Sequence, residues 1–258
     1  MLGPDWFALL KSEIQTDDAR QVGTSAIAAS IPSRSAWSGA SKRSAAGTIV
    51  SESTMKSNMA PAPEPVLFVH STSFRYTGDA DPSAPGGIAA IYRDLVADSA
   101  RTGQVVIDVM VALGRGRHCL VLTQWTKHLE LFASALGEEG RDPVILRGGM
   151  GAKTRAAAFA RLDVQPSGQP LLVVATGPYA GEGFDCPVLD TLFLAAPVAH
   201  KGRLVQYAGR ILRPYPGKKT AEIHAYYDIA TGVLASSLAK RAPGYISLGF
   251  PDPRRIAQ

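Results

Sequence analysis

Beyond Pro65 the chain alternates short, continuous apolar runs with longer segments of helical character, and this alternation limits the available folds more than any other feature. The runs are VLFVH at 66–70, CLVLT at 119–123, VIL at 144–146, LLVVA at 171–175, TLFLA at 191–195 and EIHAYY at 222–227. A strand that is apolar at every position, rather than every second one, is covered on both faces, as in a parallel sheet flanked by helices. Helical candidates lie at 87–99, 103–115, 126–137, 153–162, 203–213 and 232–240. The order is βαβα throughout, which predicts an α/β fold with a doubly wound, mostly parallel sheet. Ligands of such sheets gather beyond the carboxyl ends of the strands, so the residues just after each apolar run are the ones to inspect.

Composition narrows the class. With 46% hydrophobic and 19% charged residues the chain suits a globular protein, and no run of about 18 apolar residues is present to span a bilayer. No secretory signal pattern opens the sequence, and the two cysteines, Cys119 and Cys186, have no metal-ligand spacing, so a reducing cytoplasmic setting is expected. The five histidines show no pairing that suggests a metal. A net charge of +5 favours a polyanionic partner only modestly. From Gly23 to about Ala60 the chain is dominated by Ser, Ala, Thr and Gly, too poor in large apolar groups to offset the entropy of ordering it. Residues 1–64 are therefore expected to form a mostly disordered extension, and residues 65–258 the folded domain.

Two segments carry chemistry. In QYAGRILRPYPGK, Gln206 to Lys218, a helical wheel places Gln206, Gly209, Arg210 and Arg213 on one narrow face and Leu204, Val205, Ala208, Ile211 and Leu212 on the other. Pro214 is expected to end the helix. Glycine inside a helix costs about 0.5 to 1 kcal/mol relative to alanine, and its usual return is the close approach of a backbone or ligand. Two guanidiniums beside such a surface suit phosphate, because each donates paired hydrogen bonds to its oxygens. The second segment, TGPYAGEGFDCP from Thr176 to Pro187, follows an apolar run. Its glycines, Gly183 among them, let the backbone near a ligand, and its carboxylates, Glu182 and Asp185, suit ribose hydroxyls.

These residues resemble the motifs of one family. QYAGRILR is similar to motif VI of superfamily 2 (DEAD/DEAH-box-like) helicases, in the form Q-x-x-G-R-x-x-R, and TGPYAGEGFDCPVLDTLFLAAP resembles their motif V. CLVLTQWTKHLELFASAL looks like motif IV, and ILRGGMGAKTRAAAFARL like the strand, loop and helix that follow it. The resemblance implies a single RecA-like helicase C-terminal domain over residues 65–258. It implies that Arg213 is an arginine finger on the γ-phosphate with Arg210 beside it, and that Gln206 orients the motif. Asp185 would take the ribose, with Glu182 and Gly183 in the same cleft. Thr123, Gln124, Trp125, Gly148, Gly149, Arg155 and Thr176 would meet the backbone of DNA or RNA.

The engine of such an enzyme is not encoded in these residues. A P-loop needs G-x-x-x-x-G-K-[ST], and the nearest approach, RGGMGAKT, keeps Lys153 and Thr154 but has Arg147 and Ala152 at the glycine positions. No Asp-Glu dipeptide occurs either. ATP and magnesium are accordingly expected only together with a P-loop-bearing N-terminal lobe, and no membrane is expected as a partner. The alternative expectation is a non-catalytic remnant that binds nucleic acid or another protein.

Overall fold

Each apolar run supplies one strand of a single six-stranded sheet. In the computed structural model, which describes residues 60–163, 169–177, 185–198 and 201–256, the strands are β1 (Glu64–Ser71), β2 (Cys119–Thr123), β3 (Val144–Leu146), β4 (Leu172–Thr176), β5 (Thr191–Leu194) and β6 (Thr220–Tyr227). The helices are α1 (Gly87–Ala97), α2 (Ser99–Gly114), α3 (Thr126–Glu138), α4 (Ala152–Asp163), α5 (Lys201–Ile211) and α6 (Gly232–Ser247), followed by a 3-10 turn at Pro253–Arg255. The expected extension lies outside the described residues as far as Met59.

Strand order is β1-β6-β5-β2-β4-β3, and every pairing is parallel, so the sheet is wholly rather than mostly parallel. Every residue of β2, β4 and β5 is buried, which is why these strands carry no polar alternation. The chain leaves β2 for β3 and β4 on one side, then crosses back to place β5 on the other. That reversal opens a crevice at the carboxyl ends of β4, β2 and β5. Thr123 and Thr176 are register partners at its floor.

The structure corrects three local expectations. Alternation fails between β1 and β2, where α1 and α2 follow one another, because Asp98 ends the first and caps the second: its carboxylate accepts the Arg101 N–H at 2.7 Å. The last helix runs through Pro243 to Ser247 instead of stopping at 240. Proline lacks the N–H for one helical bond, yet buried Leu238, Ala242 and Tyr245 hold the helix against the sheet. The third, at the end of α5, concerns the site. Among the described residues no helix is long and apolar enough to cross a membrane.

One buried ion pair ties the carboxyl ends of three strands. Arg101, 1% exposed, reaches from α2 to donate through Nε to Asp228 at 2.7 Å and through Nη1 to the Ala195 carbonyl at 2.6 Å. Thr72 donates to the same Asp228 oxygen at 2.7 Å, and the guanidinium lies 5.7 Å from the Tyr226 ring centroid. Thr72 follows β1, Ala195 follows β5 and Asp228 follows β6. Removing one partner of a buried pair strands the other charge. Arg101→Ala should therefore cost about 3 to 5 kcal/mol in urea unfolding. A loss below about 0.5 kcal/mol, the usual scale of a surface substitution, would contradict the clamp.

Candidate functional site

Helix α5 packs as its wheel requires. Leu204, Ala208 and Ile211 are fully buried against the sheet, Val205 and Leu212 are partly buried, and Gln206 is exposed. Tyr207, which the wheel leaves unassigned, is buried with them. Helical pairing ends at Ile211, short of Pro214: Leu212 N–H still reaches the Ala208 carbonyl at 3.2 Å, while Arg213 N–H reaches only Arg210 at 3.4 Å. Arg213 thus stands in the turn beyond the helix and not on its face. The physical cause is Pro214, whose ring disfavours the α conformation at the preceding residue.

That turn brings Arg213 onto Asp185, and the guanidinium Nη1 and the carboxylate form an ion pair. The side chains are 47% and 58% exposed. A pair this open to solvent contributes on the order of 0 to 1 kcal/mol, so it is a contact that a competing anion can displace. Arg210 is half-buried beside it. Burial, and secondarily the charge of Arg213, presses its pKa below the usual arginine range, with Asp185 and Tyr207 opposing. Among the described residues, Gly209 meets no atom within 4 Å of where a Cβ would stand. Gly183 and Glu182 lie outside the described residues.

A second cluster sits at the crevice floor. A Cβ on Gly177 would lie 2.7 Å from the Tyr207 hydroxyl and 3.1 Å from the Gln124 amide, so the ends of β2 and β4 and the underside of α5 converge there. Thr123 is fully buried, and its hydroxyl hydrogen-bonds His128 Nδ1 at 2.9 Å. Helix α3 folds His128 back beneath the strand end, where burial drives its pKa down to about 3. Thr176 is likewise buried, Gln124 is partly buried, and Trp125 leans on Tyr92 with ring centroids 4.9 Å apart.

The remaining candidates stand at the edge strand. Gly148 and Gly149 form the exposed turn after β3, with Gly149 at φ 74, a conformation that glycine alone adopts freely. Arg155 is exposed in the first turn of α4, and its N–H bonds the Gly151 carbonyl at 3.0 Å. Lys153 is exposed in the same turn. Among the described residues no group of three or more His, Cys, Asp or Glu could hold a metal ion. His70 and His224, 154 positions apart, do pair at 2.9 Å, and Cys119 and Cys186 are buried thiols whose pKa values burial raises. The residue most clearly missed in the sequence is Lys218, which closes the information-rich segment. It is buried, with both of its hydrogen bonds to backbone carbonyls.

Gly177→Ala should cost about 1 to 3 kcal/mol, because Tyr207 is held on all sides and cannot withdraw its hydroxyl. Adding Tyr207→Phe removes the nearest atom and should recover part of that loss in thermal unfolding. Strictly additive losses in the double variant would show that the two side chains do not meet.

Residues 103–215 match the family model described as the helicase conserved C-terminal domain. Among solved structures the chain is similar to T4 UvsW, with a TM-score of 0.50 and 13% identity over 72% of this chain and 39% of that one. The RNA-helicase Prp28 from Chaetomium thermophilum follows at 0.49 and 15%, over 76% of this chain and 40% of the other. The chain thus spans about two fifths of the length of these proteins. The matched region begins in α2 and ends at Tyr215, so it contains the Gly177 cluster, the Asp185 loop and α5. The chain is thus similar over residues 103–215 to the helicase conserved C-terminal domain, and it shares its α/β fold with T4 UvsW.

Proposed function

We propose that this lobe serves as the second half of an ATP-dependent helicase or translocase, giving the arginine finger and part of the nucleic-acid track to an ATP site that a P-loop lobe completes. The observation that carries the reading is the contact between Arg213 and Asp185 on an open surface. It joins the residue suited to phosphate and the residue suited to ribose at one exposed point, between the end of α5 and the segment that leads into β5. Their pairing is weak by exposure, so phosphate oxygens can take over the guanidinium and a ribose hydroxyl the carboxylate. Arg210 adds charge alongside, Gln206 lies on the exposed side of the same helix, and the open space at Gly209 leaves room for the facing lobe.

In a loose phosphoryl transition state charge spreads over the equatorial oxygens, and an arginine supplied across an interface is worth about 10³ to 10⁵ in rate in related NTPases. ATP and its magnesium would be held by the P-loop lobe, and this chain would contribute Arg213, Arg210, Asp185 and the adjoining loop. DNA or RNA would cross the carboxyl edge of the sheet over the Gln124–Trp125 loop, the Gly148–Gly149 turn, Arg155 and the backbone at Thr123 and Thr176. Such contacts are to phosphates, so binding should be indifferent to sequence and should weaken steeply with salt as counterions are released.

The test is reconstitution. The chain alone should hydrolyse no ATP, with or without nucleic acid. With a P-loop lobe supplied in trans or fused ahead of Pro65, nucleic-acid-stimulated hydrolysis should appear, and Arg213→Ala should reduce it by about 10³-fold or more. Arg213→Lys should restore little, because lysine keeps the charge and loses the planar fork. Full activity in Arg213→Ala, or nucleic-acid affinity unchanged between low and high salt, would overturn the reading.

A further inference from the structure

Lys218 is a lysine where burial argues for a leucine. It is 8% exposed, and burial, opposed mainly by Asp190, pushes its pKa down to about 8. Burying an ammonium is costly unless its protons are placed well, and an apolar residue of similar size is often the more stable choice. The protons are placed on two carbonyls: Nζ donates to the Pro187 oxygen at 2.9 Å and to the Arg213 oxygen at 3.0 Å. These carbonyls belong to different elements. Pro187 stands two residues after Asp185, and Arg213 is the residue whose guanidinium Asp185 engages.

The local chain explains why a side chain is needed there. The last carbonyls of a helix have no intrahelical donors, and the stretch beyond Arg213 holds two prolines, Pro214 and Pro216, that lack an N–H. A turn closed by Lys218 N–H on the Tyr215 carbonyl at 3.0 Å, with Gly217 at φ 82, swings the chain back so that the lysine stem runs beneath the end of α5. The ammonium then ties the turn beyond α5 to the segment that holds Asp185 and Pro187.

We infer that Lys218 is a positioning residue that fastens the backbone of Arg213 to the backbone beside Asp185, so that the guanidinium is presented at a fixed place on the lobe's exposed edge. Its two hydrogen bonds hold the same two segments that the exposed Arg213–Asp185 pair joins at the surface, but they hold them from the buried side. The surface contact is free to open to a ligand while the backbone beneath it stays in register. The kinetic consequence rests on the reading of Arg213 as the finger; the tether itself does not.

The experiment compares the full chain with its Lys218→Met and Lys218→Arg variants by amide hydrogen exchange. Methionine fills the same volume without donors, so exchange at Leu212, Arg213, Leu189 and Asp190 should rise by about 10-fold or more while the central strands β2 and β4 keep their protection. Lys218→Arg, which keeps donors, should restore part of the difference. In the reconstituted enzyme Lys218→Met should lower kcat by about 10- to 100-fold, the scale of a small misplacement, with the KM for ATP within about twofold. Unchanged exchange at these amides overturns the tether. So does an equal loss of protection in β2 and β4, which would make Lys218 a general stabiliser. If the wild-type chain yields no hydrolysis in reconstitution, the finger reading fails and the exchange data still decide on the tether. Should Lys218→Met not fold, Lys218→Leu, also apolar and without donors, gives the same exchange comparison.

Discussion

Parallel direction is the constraint on which everything functional in this lobe depends. Because all six strands run the same way, their carboxyl ends open on one edge, where Thr123, Gln124, Trp125, Gly148, Gly149 and Thr176 stand, while Arg213 and Asp185 meet on the segments that lead into β6 and β5. The reversal at β2 separates the ends of neighbouring strands and leaves a crevice between their loops. Tight packing at Gly177 then closes the floor of that crevice with Tyr207 and Gln124.

Two arginines show how burial separates structure from function. Arg101 is sealed between β1, β5 and β6, its guanidinium committed to Asp228 and the Ala195 carbonyl. Freeing it would expose a second buried charge, so it holds strand ends in place and has no capacity for a ligand. Arg213 engages a carboxylate as well, but in water, where the attraction is screened and the partner exchangeable. The same contrast holds at the opposite edge. There Arg117 donates to Thr191, Thr220 and the Asp190 carbonyl and is locked into the sheet, with an ion pair to Asp190 at 3.2 Å. Charge alone did not distinguish these side chains; their surroundings do.

Much of this was legible in the sequence, for a physical reason. Strands buried on both faces must be apolar throughout, and CLVLT, LLVVA and TLFLA announce themselves in that way. The amphipathic split of α5 follows from periodicity alone, down to buried Leu204, Ala208 and Ile211. What stayed hidden depends on contacts between distant positions. Nothing in the string places Thr123 against His128 beneath a strand end, or pairs His70 with His224 across 154 residues. The unwinding of α5 before Arg213 was within reach, since a residue preceding proline resists the helical conformation, but the wheel treated the segment as uniform up to Pro214. Lys218 closed the segment without a role of its own, because only the fold shows that the Pro187 and Arg213 carbonyls converge on it.

The central claim is that Arg213 meets the transferring phosphoryl group across an interface with a P-loop lobe. Transition-state analogues bind more tightly than ground-state ligands by about 10² to 10⁸, and the gain is lost when the group that recognises the transition state is removed. The direct measurement is therefore the affinity between this chain and a P-loop lobe, with ADP and magnesium, before and after aluminium fluoride is added. The account predicts that the wild-type complex tightens by about 100-fold or more and that Arg213→Ala abolishes the gain while keeping the fold. Equal tightening in Arg213→Ala would contradict it.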